Sequence, residues 1–340
     1  MREAFITIAE YGEFALIAAI AKTLRRNDDL IVGVGDDAAV LRAPDGRVVA
    51  TTDMLIEGTH FRREWSGARD IGGKAAARNL ADIAAMGARP TALLVSFAGP
   101  GETEVRWVLD LMAGIQQESS AAGAVVAGGD TSSAGVVMLA IMALGDLEGR
   151  RPVTRSGARA GDVVAVTGRL GSAAAGLALL RAGVTPPDGG LEPLIQAHRR
   201  PNPPYGAGPE AAKLGATSMI DISDGLVADL GHIASASEVQ FRLRTTAIMA
   251  EPVAAPHMLA RAAAELGDAG RTERGGRTEG ADPMRWVLTG GDDHAIAATF
   301  PPGVSLPERW TIIGEVVQGN AIVVDGNRWT EPGGWEHFPA

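Results

Sequence analysis

The chain of 340 residues contains no cysteine, and aromatic residues make up only 4% of it. The absence of cysteine excludes disulfide bonds, thiolate metal ligands and a thiol nucleophile. Positive charge is also scarce, since 31 Lys and Arg residues face 41 Asp and Glu residues and the formal net charge is −10. This balance opposes nonspecific binding to nucleic acid or anionic membranes, because both require clustered basic residues. We therefore expect no nucleic-acid or membrane partner.

An apolar stretch near the N-terminus, residues 14–24, is far shorter than the about 20 apolar residues that a membrane span needs. Glu10, Glu13 and Lys22 interrupt its surroundings in a way that signal peptides avoid. Because no targeting signal is recognisable, a cytoplasmic location is expected. The spacing predicts an amphipathic helix that covers a sheet, with an apolar face made of Phe14, Ile17, Ala18, Ala21 and Leu24.

The length of the chain predicts two domains, since one domain typically takes about 100–150 residues. Short β-like runs alternate with helical patterns, which predicts an α/β (α+β) fold in which each domain is a β-sheet covered by helices. A segment rich in charge, Gly and Pro, residues 150–162, places the boundary between an N-terminal domain, residues 1–149, and a C-terminal domain, residues 150–340. A strand is predicted at Trp286–Thr289, and a mobile surface loop at Arg271–Pro283.

Aspartates recur where a β-like run ends in a glycine turn or where a helix begins. Asp is favoured in turns and at helix N-caps, so each of them taken alone has a structural explanation. Asp53 and Asp82 are harder to explain in that way. Asp53 interrupts a β-like run, where Asp is disfavoured, and Asp82 lies in the middle of a predicted helix, where an ion pair with Arg78 is the structural alternative. The recurring aspartates are Asp36, Asp37, Asp53, Asp130, Asp221, Asp224, Asp292 and Asp293.

Carboxylates that converge in a chain without cysteine favour a hard divalent cation, Mg²⁺ or Mn²⁺, over zinc. Mg²⁺ in turn suggests phosphate, because it binds through one or two carboxylates together with substrate phosphate oxygens. The usual phosphate-binding motifs are missing, since Gly73-Lys74 is followed by Ala75 and lacks the required spacing. The candidate phosphate donors are instead the backbone N–H groups of Gly128–Gly129 and Gly168–Gly171, with the charge of Arg155.

A series of short motifs follows in a fixed order along the chain. Together they resemble the motifs of the thiamine-monophosphate kinases, in the superfamily that includes aminoimidazole ribonucleotide synthetase. The resemblance runs from Gly12 nearly to the C-terminus, and the ordered set is far more specific than any single glycine turn. The motifs are Gly35–Leu41 (GDDAAVL), Thr51–Leu55 (TTDML), Gly58–Phe61 (GTHF), Asn79–Ala88 (NLADIAAMGA), Gly128–Thr131 (GGDT), Arg155–Ala158 (RSGA), Asp221–Leu226 (DISDGL), Asp229–Ile233 (DLGHI) and Gly290–Asp293 (GGDD).

The resemblance implies an N-terminal α/β domain that pairs in a homodimer and a C-terminal α/β domain that closes over ATP and substrate. It implies ATP contacts at Gly129, Asp130, Arg155 and Ser223, and contacts with the thiamine phosphate at His60, Asp292 and Trp335. It further implies several Mg²⁺ ions bound at Asp37, Thr51, Thr52, Asp53, Asp82, Asp130, Asp221 and Asp224. The chain departs from the family in one motif, because the usual Glu-Asp-Tyr is Asp292-Asp293-His294 here.

The activity that the resemblance implies is transfer of the γ-phosphoryl group of ATP onto the phosphate of thiamine monophosphate, giving the diphosphate. A phosphate monoester has a second pKa near 6, so its attacking oxygen is mostly deprotonated at neutral pH and no catalytic general base is expected. His232, on the flank of a predicted helix, is interpreted as structural. Two alternatives remain: another ATP-dependent enzyme of the same superfamily, and a non-catalytic Mg²⁺–nucleotide sensor that keeps the acidic site.

Overall fold

The computed structural model describes residues 6–34, 38–184, 189–273, 281–331 and 333–334. Two predicted site residues, Asp37 and Trp335, and part of the loop predicted at Arg271–Pro283 lie outside the described residues. The chain divides into two compact units, which are Met1–Ala84 with Ala88–Arg151, and Ala85–Gly87 with Pro152–Ala340. Each unit combines a β-sheet with helices, and the predicted α/β fold class is confirmed.

The first unit contains a four-stranded sheet in the order β3-β6-β4-β5, so that β3 and β5 are its two edges. Strands β4 and β5 are parallel and the other neighbours are antiparallel. Strands β1 and β2 form a separate antiparallel pair. The elements are α1 Ile8–Tyr11, α2 Glu13–Ala21, β1 Leu30–Val32, β2 Val40–Leu41, β3 Val49–Ile56, α3 Ala68–Ala85, β4 Arg89–Gly99, α4 Val105–Ala121, β5 Val125–Ser133 and β6 Met138–Asp146.

The two faces of this sheet differ in burial. Paired residues on neighbouring strands share a face, so Ile141 on β6 and Val95 on β4 mark a buried face, on which Asp53 also lies. The rows on either side of this one belong to the opposite face, where the side chains of Met54 on β3 and Met142 on β6 are 47% and 41% exposed. Alternation along β3 therefore sends successive residues of one motif to opposite sides of the sheet.

The second unit contains a seven-stranded sheet in the order β13-β12-β9-β11-β7-β10-β8, antiparallel except for the pair β12 and β9. Its apolar core joins these strands to helices that include α5, α8 and α10. No helix in the described part of the chain is long and apolar enough to cross a membrane. The elements are β7 Val163–Thr167, α5 Ser172–Ala182, α6 Glu192–Arg199, α7 Ala207–Lys213, β8 Ser218–Ile222, α8 Leu226–Ser237, β9 Val239–Leu243, α9 Thr245–Ile248, α10 Pro256–Glu273, α11 Pro283–Thr289, β10 Ala295–Phe300, β11 Thr311–Gln318, β12 Ala321–Val324 and β13 Asn327–Arg328.

The predicted strand at Trp286–Thr289 is wrong, because these residues belong to α11. Asp282 caps this helix, since its side chain accepts a hydrogen bond of 2.9 Å from the Met284 N–H. Pro283 occupies the first helical turn, where its missing N–H is not needed. The residues at the start of α11 thus favour a helix in a segment whose own side chains favour a strand.

The predicted apolar face of α2 is also partly wrong. Phe14 is 83% exposed, whereas Leu16 is 1% exposed and is the buried residue of the helix. The glycines of the GGDT motif differ from expectation too, because β5 continues through them to Ser133 and pairs with β4. Asp130 therefore lies within a strand and does not follow a turn.

Candidate functional site

In the first unit, three predicted metal ligands meet between β3 and α3. Thr51 Oγ1 on β3 donates a hydrogen bond of 2.8 Å to Asp82 Oδ2 on α3. Asp53, two residues along the same face of β3, forms an ion pair of 3.1 Å with Arg78 Nε. The backbone N–H of Asp53 donates to Asn79 Oδ1 at 2.8 Å. The structure therefore brings Thr51, Asp53 and Asp82 together, although Thr51 and Asp82 are 31 residues apart.

Asn79 and Asp82 are three residues apart on α3 and therefore share one face of the helix. The sequence alone could thus have indicated that Asn79 lies beside Asp82. The buried Asn79 side chain is held by a second hydrogen bond, from Nδ2 to the Ala75 carbonyl oxygen at 2.9 Å. Its amide is thus locked with Oδ1 toward β3. Asn79 fixes the position of the strand that carries Asp53.

Two other predicted ligands do not join this group within one chain. Thr52 pairs with Met142 and lies on the opposite face of β3 from Thr51 and Asp53. Asp130 lies on β5, in the row that runs from Met54 across β6 and β4. Three strand spacings of about 4.8 Å separate the edges, so Asp130 is roughly 14 Å from β3.

An apolar cleft of about 100 Å³ adjoins the strand that carries Gly129 and Asp130. Ile17 and Ile20 of α2 line it from one side, and Val108 and Met112 of α4 line it from another. Both glycines of the GGDT motif border the cleft. The exposed Asp130 carboxylate therefore stands beside a small apolar recess, a combination of polar and apolar surface that is typical of ligand sites.

His60, predicted to contact the substrate thiamine phosphate, follows β3. Its Nδ1 accepts a hydrogen bond of 3.0 Å from the Ile56 N–H. A backbone N–H can only donate, so Nδ1 carries no proton and the proton of the ring is on Nε2. The half-buried His60 ring is thereby set to donate from Nε2, which suits an anionic oxygen.

In the second unit, the turn Ser223–Gly225 joins β8 to α8 and is held by the buried Asp229. One oxygen of Asp229, Oδ2, accepts hydrogen bonds of 3.0, 3.1 and 3.0 Å from the N–H groups of Ser223, Asp224 and Gly225. Burial raises the pKa of Asp229 to about 7, and the nearby carboxylates of Asp221 and Asp224 add to this rise. Three carboxyl groups, those of Asp221, Asp224 and Asp229, therefore lie close together at this turn.

The turn that carries Asp292 is joined by two backbone hydrogen bonds to the Ser223 turn and to the end of β8. The Asp292 N–H donates to the Ser223 carbonyl oxygen at 2.8 Å, and the His294 N–H donates to that of Ile222 at 2.9 Å. Asp292 and His294 both adopt the left-handed region, with φ of 68° and 52°. These contacts bring the predicted substrate residue Asp292 beside the predicted ATP residue Ser223.

Two glycines let other backbone approach this turn. A Cβ at Gly291 would lie 2.5 Å from the Ser223 carbonyl oxygen, and a Cβ at Gly334 would lie 2.3 Å from that of Asp224. Any side chain at either position would force the segments apart. Gly334 directly precedes Trp335 in the sequence, so the residue before the predicted substrate aromatic packs against the turn.

The expectation that the N–H groups of Gly168–Gly171 cradle phosphate is wrong at its helix end. The Gly171 and Ala173 N–H groups donate to the buried carboxylate of Asp293 at 2.6 and 2.9 Å. Burial raises the pKa of Asp293 to about 7, although these two hydrogen bonds oppose the rise. The start of α5 is therefore occupied by a carboxylate of the chain itself, 122 residues from Gly171.

Arg155, predicted to contact ATP, lies exposed in a short 3-10 turn, Arg155–Gly157. Ser237 at the end of α8 holds this turn from both sides. Its Oγ donates to the Arg155 carbonyl oxygen at 2.7 Å and accepts from the Ala158 N–H at 3.2 Å. The backbone of Arg155 is thus fixed, while its guanidinium faces solvent.

The oxygen donors of both units fit a hard divalent cation. No group of three or more acidic or histidine side chains forms a ready-made metal site in the ranges that the structure describes. Asp53 with Asp82, and Asp221 with Asp224, nevertheless supply carboxylates in pairs, and Mg²⁺ usually completes its shell with water and phosphate oxygens. The pairs are therefore suited to a cation that arrives with a phosphate ligand.

Comparison with known proteins gives concordant matches. The family model "AIR synthase related protein, N-terminal domain" matches residues 35–147. The thiamine-monophosphate kinase of Mycobacterium tuberculosis (strain CDC 1551 / Oshkosh) is 44% identical over 333 residues, which cover 98% of this chain and 93% of that protein. The enzyme of the same name from Corynebacterium glutamicum is 36% identical and covers 98% of this chain and 95% of its own length.

Among solved structures, one described as "AaThiL complexed with AMPPCP and TMP" superposes with a TM-score of 0.75. It is 30% identical in sequence and covers 98% of this chain and 99% of its own. The sequence relatives match over nearly their whole length. The chain therefore belongs to the thiamine-monophosphate kinase family.

Proposed function

We propose that this chain transfers the γ-phosphoryl group of ATP to the phosphate of thiamine monophosphate, with Mg²⁺, as a homodimer. Thiamine diphosphate and ADP are the products. The candidate ligands are Asp53, Asp82, Asp130 and His60 in residues 1–149, and Arg155, Asp221, Ser223, Asp224 and Asp292 in residues 150–340. The observation that carries the proposal is the similarity, over 98% of the chain, to a structure described as complexed with AMPPCP, an ATP analogue, and TMP.

The side chains support a reaction that needs positioning and charge neutralisation more than proton transfer. When bound, Mg²⁺ supplies the positive charge that lets two phosphate groups approach each other. Asp53, Asp82, Asp221 and Asp224 are the carboxylates that would hold it. His60 donates from Nε2 to the acceptor phosphate, and Asp292, placed by its bond to Ser223, orients the substrate. No side chain has to remove a proton.

The apolar cleft beside Gly129 and Asp130 suits the base of the nucleotide. A planar, mostly apolar ring needs such a recess, while its phosphates need the polar groups at the edge. Ile17 and Ile20 line the cleft from α2 and are half-buried, so their side chains can be changed without opening the core.

Ile20→Trp should fill the cleft and raise KM for ATP by about tenfold or more, with KM for thiamine monophosphate nearly unchanged. Steady-state kinetics with each substrate varied in turn measure this split. Ala18→Trp, at an exposed position of the same helix, is the matched control and should leave both values unchanged. A normal KM for ATP in the Ile20→Trp protein would show that the base does not bind in this cleft.

The homodimer is supported by the placement of the acidic residues in the four-stranded sheet. Asp53 is on one edge strand and Asp130 is on the other, so one chain cannot bring both to one cation. Two copies that join the β3 edge of one to the β5 edge of the other would place the two strands that carry them side by side. The open face with Met54 and Met142 gives such a dimer an apolar surface to bury.

The direct test is incubation of the protein with ATP, MgCl₂ and thiamine monophosphate, followed by chromatography for thiamine diphosphate and ADP in equal amounts. Excess chelator should abolish the product, and added MgCl₂ should restore it. Nucleotide binding without any product would instead favour the sensor.

Unphosphorylated thiamine should not be phosphorylated under the same conditions. Its hydroxyl group would have to lose a proton during attack, and the proposed site supplies no general base for that. The same chromatography, run with thiamine at a matched concentration, should show less than about 1% of the rate with the monophosphate, comparable to losing a general base. Rapid conversion of thiamine would contradict direct transfer between phosphates.

A further inference from the structure

The side chain of His294 contacts a proposed metal ligand, Asp221. Its Nδ1 lies 3.0 Å from Oδ2 of Asp221, the residue before the end of β8. His294 is 1% exposed and Asp221 is also buried. The backbone of His294 is fixed by its hydrogen bond to Ile222 and by a φ of 52°. The contact is thus made by two buried groups on anchored backbone.

The proton in this contact belongs to the histidine. An ionised carboxylate only accepts, so Nδ1 carries the hydrogen and donates it to Asp221 Oδ2. The other ring nitrogen, Nε2, is buried and has no hydrogen-bond partner among the described residues. Leaving a buried ring nitrogen unpaired is unfavourable, so packing alone would be better served by an apolar side chain. The hydrogen bond to Asp221 is therefore the interaction that explains why a histidine occupies this buried position.

We propose that His294 is a positioning residue that occupies Oδ2 of Asp221 and so restricts this carboxylate to binding a cation through Oδ1. The inference rests on the proposed function, because it takes Asp221 as a ligand of Mg²⁺. Its consequence is cation selectivity. Ca²⁺ takes six to eight oxygens and often binds both oxygens of one carboxylate, whereas Mg²⁺ requires a small octahedral shell. A carboxylate limited to one oxygen therefore favours Mg²⁺ over Ca²⁺.

The test measures binding without turnover. Isothermal titration calorimetry with AMPPCP, in MgCl₂ or in CaCl₂, gives the ratio of the two dissociation constants for each variant. His294→Leu removes the N–H donor and should shift this ratio toward Ca²⁺ by about fivefold or more. His294→Asn keeps an N–H near the position of Nδ1 and tolerates a left-handed backbone, so it should keep the wild-type ratio.

A buried histidine elsewhere in the same unit is the matched control. His198 is buried on α6, and His198→Leu should leave the Mg²⁺ to Ca²⁺ ratio unchanged even if thermal stability falls. A folded His294→Leu protein with lowered stability but an unchanged ratio would reduce His294 to a packing residue and overturn the proposal. If the wild-type protein binds AMPPCP with neither cation, the proposed function itself fails, which is a different result.

A measurement on the wild-type chain covers the case in which His294→Leu does not fold. ¹⁵N NMR of histidine-labelled protein should show a ring with the proton on Nδ1 and none on Nε2, assigned to His294 by its loss in His294→Asn. This tautomer is the less common one for a histidine in water, so the signal is diagnostic. A proton on Nε2 alone would mean that His294 does not donate to Asp221, and the inference would be wrong.

Discussion

Asp82→Asn is expected to lower kcat/KM for thiamine monophosphate by at least about a hundredfold while leaving the fold intact, comparable to the loss of other electrostatic stabilisers. The amide oxygen of Asn can still accept the hydrogen bond that Thr51 donates to Asp82 at 2.8 Å, so local packing is kept. What is lost is a negative charge facing the proposed cation. Steady-state kinetics, with circular dichroism to check folding, measure the effect.

Asp110→Asn is the matched control for this substitution. Asp110 is on α4 of the same unit, and its partly exposed carboxylate forms a 3.4 Å ion pair with Arg69. Such pairs contribute little, so its loss should leave kcat/KM within about twofold of wild type. Near-normal turnover by a folded Asp82→Asn protein would mean that Asp82 has only a structural role on its helix.

Mixing two inactive variants is expected to restore activity. Asp53→Asn and Asp130→Asn should each be nearly inactive, since each removes a proposed cation ligand from every site of a homodimer. After unfolding and refolding together, half of the dimers carry one variant of each kind. If Asp53 of one copy works with Asp130 of the other, each mixed dimer has one intact site, and about a quarter of wild-type activity returns.

The control mixture pairs Asp53→Asn with Asp82→Asn. These residues lie on one side of β3 in the same chain, so each site of a mixed dimer lacks one of them and no activity should return. Recovery in this control would mean that the two residues do not serve the same site. If the mixture of Asp53→Asn and Asp130→Asn stays inactive although mass spectrometry detects mixed dimers, the proposed edge-to-edge arrangement is wrong.

Strands in the second unit were the most predictable part of the fold. The bounds of Val163–Thr167, Ser218–Ile222, Ala295–Phe300 and Ala321–Val324 follow from the sequence, because short, mostly apolar runs are bounded by polar or glycine residues. The failed strand at Trp286–Thr289 is also apolar and short. There the Asp282 cap and Pro283 favour a helix, and apolar runs of this length do not distinguish the two states.

The sequence by itself determined the family, because the motifs occur in a fixed order and their residue types suit phosphate and cations. Only the tertiary structure decided which of these residues share a site. Thr51 meets Asp82 across 31 residues and His294 meets Asp221 across 73, contacts that depend on how distant segments pack and leave no local pattern. Register decided the rest. Side chains alternate along a strand, so Thr52 faces away from Asp53, and the strand order placed Asp130 at the opposite edge of the sheet.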